Sequence, residues 1–90
     1  MAEHELKTWP EYFEAVRKGE KPFEVRRHDR HFAVGDTLIL QEFEPGTKTL
    51  GATPAKEGRY TGRRTDKYVT YVMDGGRFGL EPGFVVLGIR

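Results

Sequence analysis

The sequence predicts a small α+β fold, mainly β, in which one N-terminal helix accompanies a β-barrel of five or six short strands. Three observations support this prediction. Apolar residues recur at helical spacing only near the start of the chain, they alternate with polar residues from Phe23 onward, and glycine and proline separate the strand-like segments. A chain of 90 residues supports one thin hydrophobic core, so we expect a single domain over residues 1–90.

The helix is predicted between Thr8 and Gly19. Thr8 and Glu11 have the spacing of a capping box, and Pro10 suits a first helical turn. The side chains expected on its apolar face are Trp9, Tyr12 or Phe13, and Val16. Gly19 can adopt the left-handed conformation that ends many helices, so the helix is expected to end there.

The first predicted strand starts at Phe23. Its period of two places Phe23 and Val25 on one face, which we expect to be the core face, and Glu24 and Arg26 on the other face, outward or in a cleft. Further strands are predicted over residues 37–43, 60–64 and 67–74, and where Val85, Leu87 and Ile89 alternate at the end of the chain.

Turn-forming residues separate these strands. Residues 44–58 mix prolines and glycines with threonines and lysines, and are predicted to form a long flexible hairpin loop. Val34-Gly35-Asp36 and Asp74-Gly75-Gly76 are predicted turns, and Phe78 and Leu80 are expected to return to the core after the second turn.

The amino-acid composition excludes several classes of function. The formal net charge of +1 excludes the large basic surface of nonspecific DNA-binding proteins, so any nucleic-acid contact must come from local clusters. The absence of cysteine excludes a disulfide framework and thiolate metal sites. Because no long apolar segment is present, we expect a cytoplasmic protein without a membrane contact, and we expect a monomer.

The segment Gly19–Arg26 carries three charged side chains where the helix is predicted to pass into the first strand. Lys21 precedes a proline, and Glu24 and Arg26 lie two residues apart on one strand face. From the residues alone, the cluster is either an ordinary surface ion pair beside a solvated lysine or a charged cleft.

The pattern G-x-K-x-x-E-x-R in this segment resembles that of ASCH domains in the PUA-like superfamily, small β-barrels associated with the binding of RNA or modified nucleosides. The similarity extends to His4–Lys7 and Gly79–Leu87. It implies a PUA-like barrel that binds RNA, a nucleotide or a modified nucleoside, without a cofactor, in a cleft beside the first helix. The residues implied for that cleft are Lys21, Glu24 and Arg26, with Lys7 and Trp9 near its rim.

Two alternatives remain open. One ASCH-like subgroup resembles a small amidohydrolase acting on acylated cytidine, with the pattern G-x-K-x-x-T-x-R and a threonine nucleophile. Glu24 stands at the position of that threonine, so Lys21 and Glu24 could act as acid and base, but the nucleophilic hydroxyl is missing there. The other alternative is a protein-interaction module that uses an exposed sheet edge or the long loop.

A second basic group flanks the long loop. Its predicted nucleic-acid contacts are Arg59, Arg63, Arg64 and Lys67. Tyr60 and Tyr68 lie among them, and aromatic side chains interleaved with cations suit a single strand of nucleic acid. Solvated charges on an ordinary loop explain the same pattern. His28 and His31 are too few for a metal site, and we predict no metal.

Overall fold

Five strands and one helix follow one another in the computed structural model, which describes all residues from Met1 to Arg90. They are β1 (Glu3–Thr8), α1 (Pro10–Arg17), β2 (Phe23–Arg27), β3 (Thr37–Glu44), β4 (Arg59–Asp74) and β5 (Phe84–Ile89). The α+β class, mainly β with one helix near the N-terminus, is therefore confirmed. No helix has the length and apolar character needed to cross a membrane.

The strands form one open sheet in the order β1-β3-β4-β5-β2. β1 runs parallel to β3, and the other neighbouring strands are antiparallel. β1 and β2 are the two edges and share no backbone ladder, but Arg26 Nη2 on β2 donates to Thr8 Oγ1 on β1 at 3.1 Å. Because β1 and β2 are opposite edges of the sheet, this contact requires the sheet to curl until the two edges face each other. We call the narrow gap between β1 and β2 the seam.

β1 is an element that the sequence did not predict. His4, Leu6 and Thr8 are buried and alternate with exposed neighbours, as expected for an edge strand with one covered face. Leu6 is the only aliphatic residue in this strand, so its composition carries little strand signal. Parallel pairing with the strongly apolar β3 holds it in place.

The helix starts later than predicted and ends where predicted. Trp9 is its N-cap in an extended conformation, and no side chain caps it, so the capping box of Thr8 and Glu11 is wrong. Thr8 instead belongs to β1. At the other end Gly19 has φ of 80°, and the amides of Gly19 and Glu20 donate to Val16 and Ala15 in a Schellman arrangement.

β4 joins two strands that the sequence predicted separately. Its first part pairs with β3 and its second part with β5, so one long strand links the two halves of the sheet. A register shift interrupts each of the two ladders. Gly62 lies at the shift in the β3–β4 ladder and has a φ of 92°. Residues 45–58 extend the β3–β4 hairpin through isolated bridges between Thr47 and Lys56 and between Leu50 and Thr53.

The core lies on the inward face of the curled sheet and against α1. Its members are Leu6, Val16, Phe32, Leu38, Leu40, Val69, Val85, Leu87 and Ile89. The predicted core face of β2 is wrong, because Phe23 and Val25 are exposed whereas Glu24 is buried beside its cross-strand partner Leu87. Phe78 was also expected in the core, but it is 90% exposed in the loop before β5.

Hydrogen bonds to Asp36 connect the start of β1 to the turn before β3. Its buried carboxylate accepts hydrogen bonds from the amides of Ala2 and Ala33, each at 3.0 Å, and contacts His4 Nε2 at 2.8 Å. The Ala2 amide, followed by the bond with His4, lowers the pKa of Asp36 to about 2.

This lowered pKa predicts a loss of stability in acid. The folded-state pKa of Asp36 lies below its unfolded value, so its contribution is present above about pH 4 and is lost as the pH falls toward 2. We expect the free energy of unfolding to fall by roughly 2 kcal/mol over this window from this group alone, measured by urea unfolding at pH 5, 3 and 2. Asp36→Asn should flatten that fall, and an equally steep fall in the variant would contradict the assignment.

Candidate functional site

Lys21, Glu24 and Arg26 form one connected cluster at the seam. Lys21 Nζ donates to Glu24 Oε1 at 2.8 Å, and Arg26 Nε donates to Glu24 Oε2 at 3.0 Å. The Glu24 side chain is 4% exposed, whereas those of Lys21 and Arg26 are 20% and 22% exposed. The carboxylate is thus at the bottom of the site and the two cations stand between it and solvent, so the alternative of an exposed surface pair is wrong.

The local sequence explains how Lys21 reaches Glu24. Strict strand alternation would place Lys21 on the side of Phe23, away from Glu24. β2, however, begins only at Phe23, and the Lys21 amide still donates to Ala15 O at the end of the helix. Lys21 therefore belongs to the turn between α1 and β2, where it is free of the strand's alternation.

Thr8 is a member of the site that the sequence did not identify. Its hydroxyl accepts from Arg26 Nη2, and the residue is 3% exposed. Its position one residue before Trp9 suggested a helix cap, and only the approach of the sheet edges brings it to Arg26. The structure shows hydrogen bonds from Nε and Nη2 of Arg26 but none from Nη1.

These residues line a cleft of about 340 Å³ between β1, the start of α1 and β2. Its walls are Lys7, Thr8, Trp9, Tyr12, Lys21, Glu24, Val25 and Arg26. All five residues predicted for a ligand cleft are among them. Trp9 and Tyr12 are half exposed at its rim with ring centroids 6.4 Å apart and planes 27° apart, and Lys21 Nζ lies 5.7 Å from the Tyr12 ring centroid.

The chemistry of this cleft is that of recognition of a planar, polar ligand. Each carboxylate oxygen has two lone pairs, so Glu24 keeps acceptor capacity after binding Lys21 and Arg26. Arg26 Nη1 and Lys21 Nζ are donors, and the Trp9 ring offers an apolar face. The volume falls at the lower end of the range for small-molecule pockets, which suits a ligand the size of a nucleoside.

A second cleft of about 460 Å³ adjoins the first along the seam and shares Lys7 and Arg26 with it. Its other lining residues are Glu5, Leu6, Arg27, Asp29, Arg30, Phe32, Gln41 and Tyr60. Lys7 Nζ lies 4.5 Å from the Phe43 ring centroid and 5.8 Å from that of Tyr60, so cation–π contacts with two rings position this ammonium.

The four predicted members of the second basic group lie along β4, which follows the long loop, and three of them pair with acids. Arg59 contacts Glu44 at 3.5 Å, and Arg64 contacts Asp66 at 3.0 Å. Arg63 contacts Glu14 of α1, and its guanidinium lies 5.1 Å from the Phe13 ring centroid. Arg63 thus ties the helix to the sheet.

The ion pairs of Glu14 affect its titration. Hydrogen bonds from Arg17 and Arg63 lower the pKa of Glu14 to about 2. Lys67 is half-buried and has no acidic partner within ion-pair distance. The role of these four residues in nucleic-acid binding stays a prediction.

Residues 3–89 of the chain match the model of a family described as a domain of unknown function, DUF3850. The chain belongs to this family. The DUF3850 match includes every strand, the helix and both clefts. Its description names neither a ligand nor the ASCH and PUA-like families, so that resemblance stays a prediction.

One curated relative of this DUF3850 domain is similar over most of the chain. It is described as "Uncharacterized 12.9 kDa protein in GpA 3'region" of Escherichia phage P2, and is 37% identical over 71 residues. The aligned part is 79% of this chain and 54% of the phage protein, so the chain spans about half the length of that relative.

Proposed function

We propose that this domain binds RNA or a nucleotide by holding one base in the cleft formed by Lys21, Glu24 and Arg26. The observation that supports this most strongly is the burial of Glu24. Removing a carboxylate from water is costly, and its two cation partners offset that cost while Glu24 keeps acceptor capacity in the lining of the cleft. A base edge that donates an amino hydrogen to Glu24 and accepts from Arg26 uses these groups fully.

The balance of charge agrees with an anionic ligand. Lys7, Lys21 and Arg26 line the cleft against the single carboxylate of Glu24. Trp9 supplies a stacking face at the rim, and stacking of a base on an aromatic ring contributes about 1–3 kcal/mol. Together these features favour a nucleotide over a neutral sugar or an apolar ligand.

The proposal includes a more specific fold, the PUA-like barrel. The curled sheet, with its seam bridged by Arg26 and Thr8, is compatible with a partly open barrel whose ligand lies between the first helix and the adjoining strands. That location is the one implied by the similarity of the G-x-K-x-x-E-x-R segment to ASCH domains.

An amide chemical-shift titration tests the proposal. We expect nucleoside monophosphates, or a short single-stranded RNA, to shift the amides of residues 7–9 and 21–26. Arg26→Ala and Glu24→Gln should each weaken binding about tenfold or more, because each removes a charged hydrogen-bonding partner. Arg17→Ala is the matched control, since Arg17 is also paired with a glutamate but lies outside the cleft. Unchanged affinity in a folded Arg26→Ala protein would refute the proposal.

The amidohydrolase alternative is tested in the same samples. It requires a hydroxyl at the position of Glu24 or a different use of Lys21 and Glu24 as acid and base. Release of acyl groups from a panel of acylated nucleosides, abolished by Glu24→Gln, would replace the binding proposal with a catalytic one. Binding without product in the wild-type protein would support the noncatalytic function.

A further inference from the structure

We infer that the ligand is a single strand of at least two nucleotides, and that the second cleft holds the phosphate that follows the bound base. This inference rests on the proposed function and extends it, because a mononucleotide would use only the first cleft. The two clefts share Lys7 and Arg26, so they form one groove along the seam between β1 and β2.

The length of the groove suits more than one nucleotide. Along β1 its lining runs from Glu5 to Thr8, three residue steps of a strand or roughly 10 Å. Successive stacked nucleotides are about 3.4 Å apart, so the groove has room for at least two. A ligand confined to the base cleft leaves the other half of this groove unused.

The charges are arranged for a phosphate backbone. Along the whole groove, five cations face three carboxylates. The cations are Lys7, Lys21, Arg26, Arg27 and Arg30. Lys7 and Arg30 both line the second cleft, and the only ion pair of Arg30 is with the exposed Asp29 at 3.2 Å. An ion pair this exposed is weak, so a phosphate can compete with Asp29 for the guanidinium.

An aromatic platform completes the second cleft. Tyr60 is 51% exposed, packs edge-on against Phe43 with centroids 4.9 Å apart, and carries Lys7 above its ring. A tyrosine braced in this way presents a fixed face beside a cation. This is the pairing by which proteins stack a base and bind its phosphate. Trp9 at the other end of the groove provides the equivalent platform for the first base.

The test compares ligand lengths. The wild-type protein is titrated with the four nucleoside 5′-monophosphates, which lack the phosphate that follows the base, and with the four corresponding homotetraribonucleotides, at several salt concentrations. We expect the best tetranucleotide to bind at least tenfold more tightly than its monophosphate, beyond the statistical gain from four equivalent bases. Arg30→Ala should remove most of that gain and reduce the slope of log K against log salt for the tetranucleotide by about 0.7, so that tetranucleotide binding weakens more than monophosphate binding.

Arg77→Ala is the matched control, because Arg77 is an exposed arginine in the loop before β5 that lines neither cleft. It should retain both the length dependence and the salt slope. Monophosphate binding without a gain for the tetranucleotide, or a gain that survives Arg30→Ala, would overturn the inference and leave the proposed function standing. Absence of binding by every nucleotide and oligonucleotide would overturn both. If Arg64→Ala is the only variant that loses the tighter binding of the tetranucleotide, the nucleic acid binds along β4, and the inference is also overturned.

Discussion

Glu24→Ala is expected to lower the free energy of unfolding by about 3 kcal/mol, out of a total of about 5–10 kcal/mol for a domain of this size. The substitution removes a 3% exposed carboxylate and leaves Lys21 and Arg26 facing each other without their shared partner. Both cations are about one-fifth exposed, so water relieves part of the cost, and we expect the lower end of the range for broken buried ion pairs. Urea unfolding monitored by circular dichroism measures this effect.

Glu14→Ala is the matched control for that experiment. Glu14 also lies between two cations, Arg17 and Arg63, but its side chain is 32% exposed, against 4% for that of Glu24. We expect a much smaller loss, since solvent replaces the lost contacts. Equal effects of the two substitutions would show that burial of Glu24 does not govern its contribution.

Asp36→Ala is expected to destabilise the domain by about 3 kcal/mol or more, for a different reason. The amides of Ala2 and Ala33 and the ring of His4 would each lose their acceptor. Buried groups left without a partner cost about 1–3 kcal/mol each, and partial access of water to the amides moderates the sum. Because β1 depends on this carboxylate for its start, hydrogen exchange should show β1 opening before the rest of the sheet.

Asp66→Ala is the control for this second prediction. Asp66 is exposed and paired with Arg64, so its removal should change stability by less than about 0.5 kcal/mol. Uniform loss of protection across all strands in Asp36→Ala would contradict the assignment of Asp36 to β1. Weaker nucleotide binding in this variant is a further expectation, since β1 supplies Lys7 and Thr8 to the cleft.

Much of the secondary structure could be predicted from local patterns. The alternation in β5 identifies its buried residues correctly, because a strand with one covered face obeys a period of two. Gly19 marks the helix end, since its left-handed conformation is nearly free of steric cost only for glycine. β1 was missed because parallel pairing with a distant strand, rather than its own composition, stabilises it.

The charged members of the candidate site were predictable from the sequence, but Thr8 and the burial of Glu24 were not. Charges and spacing drew attention to Lys21, Glu24 and Arg26, but their assignment to a cleft came from the resemblance, as did that of Lys7 and Trp9. The same spacing led to Phe23 and Val25 as the core face, which is wrong. Alternation with a period of two shows which residues share a face of the strand, but it does not show which of the two faces is covered.

The sequence by itself determined a small, mainly β domain with one helix ending at Gly19 and a charged segment entering β2, because these features depend on interactions between near neighbours. Only the tertiary structure decided that Glu24 is buried, that Thr8 meets Arg26 and that two clefts share one seam. Each of these requires the two edges of the sheet to approach. That approach depends on the curl of all five strands together, which no local pattern encodes.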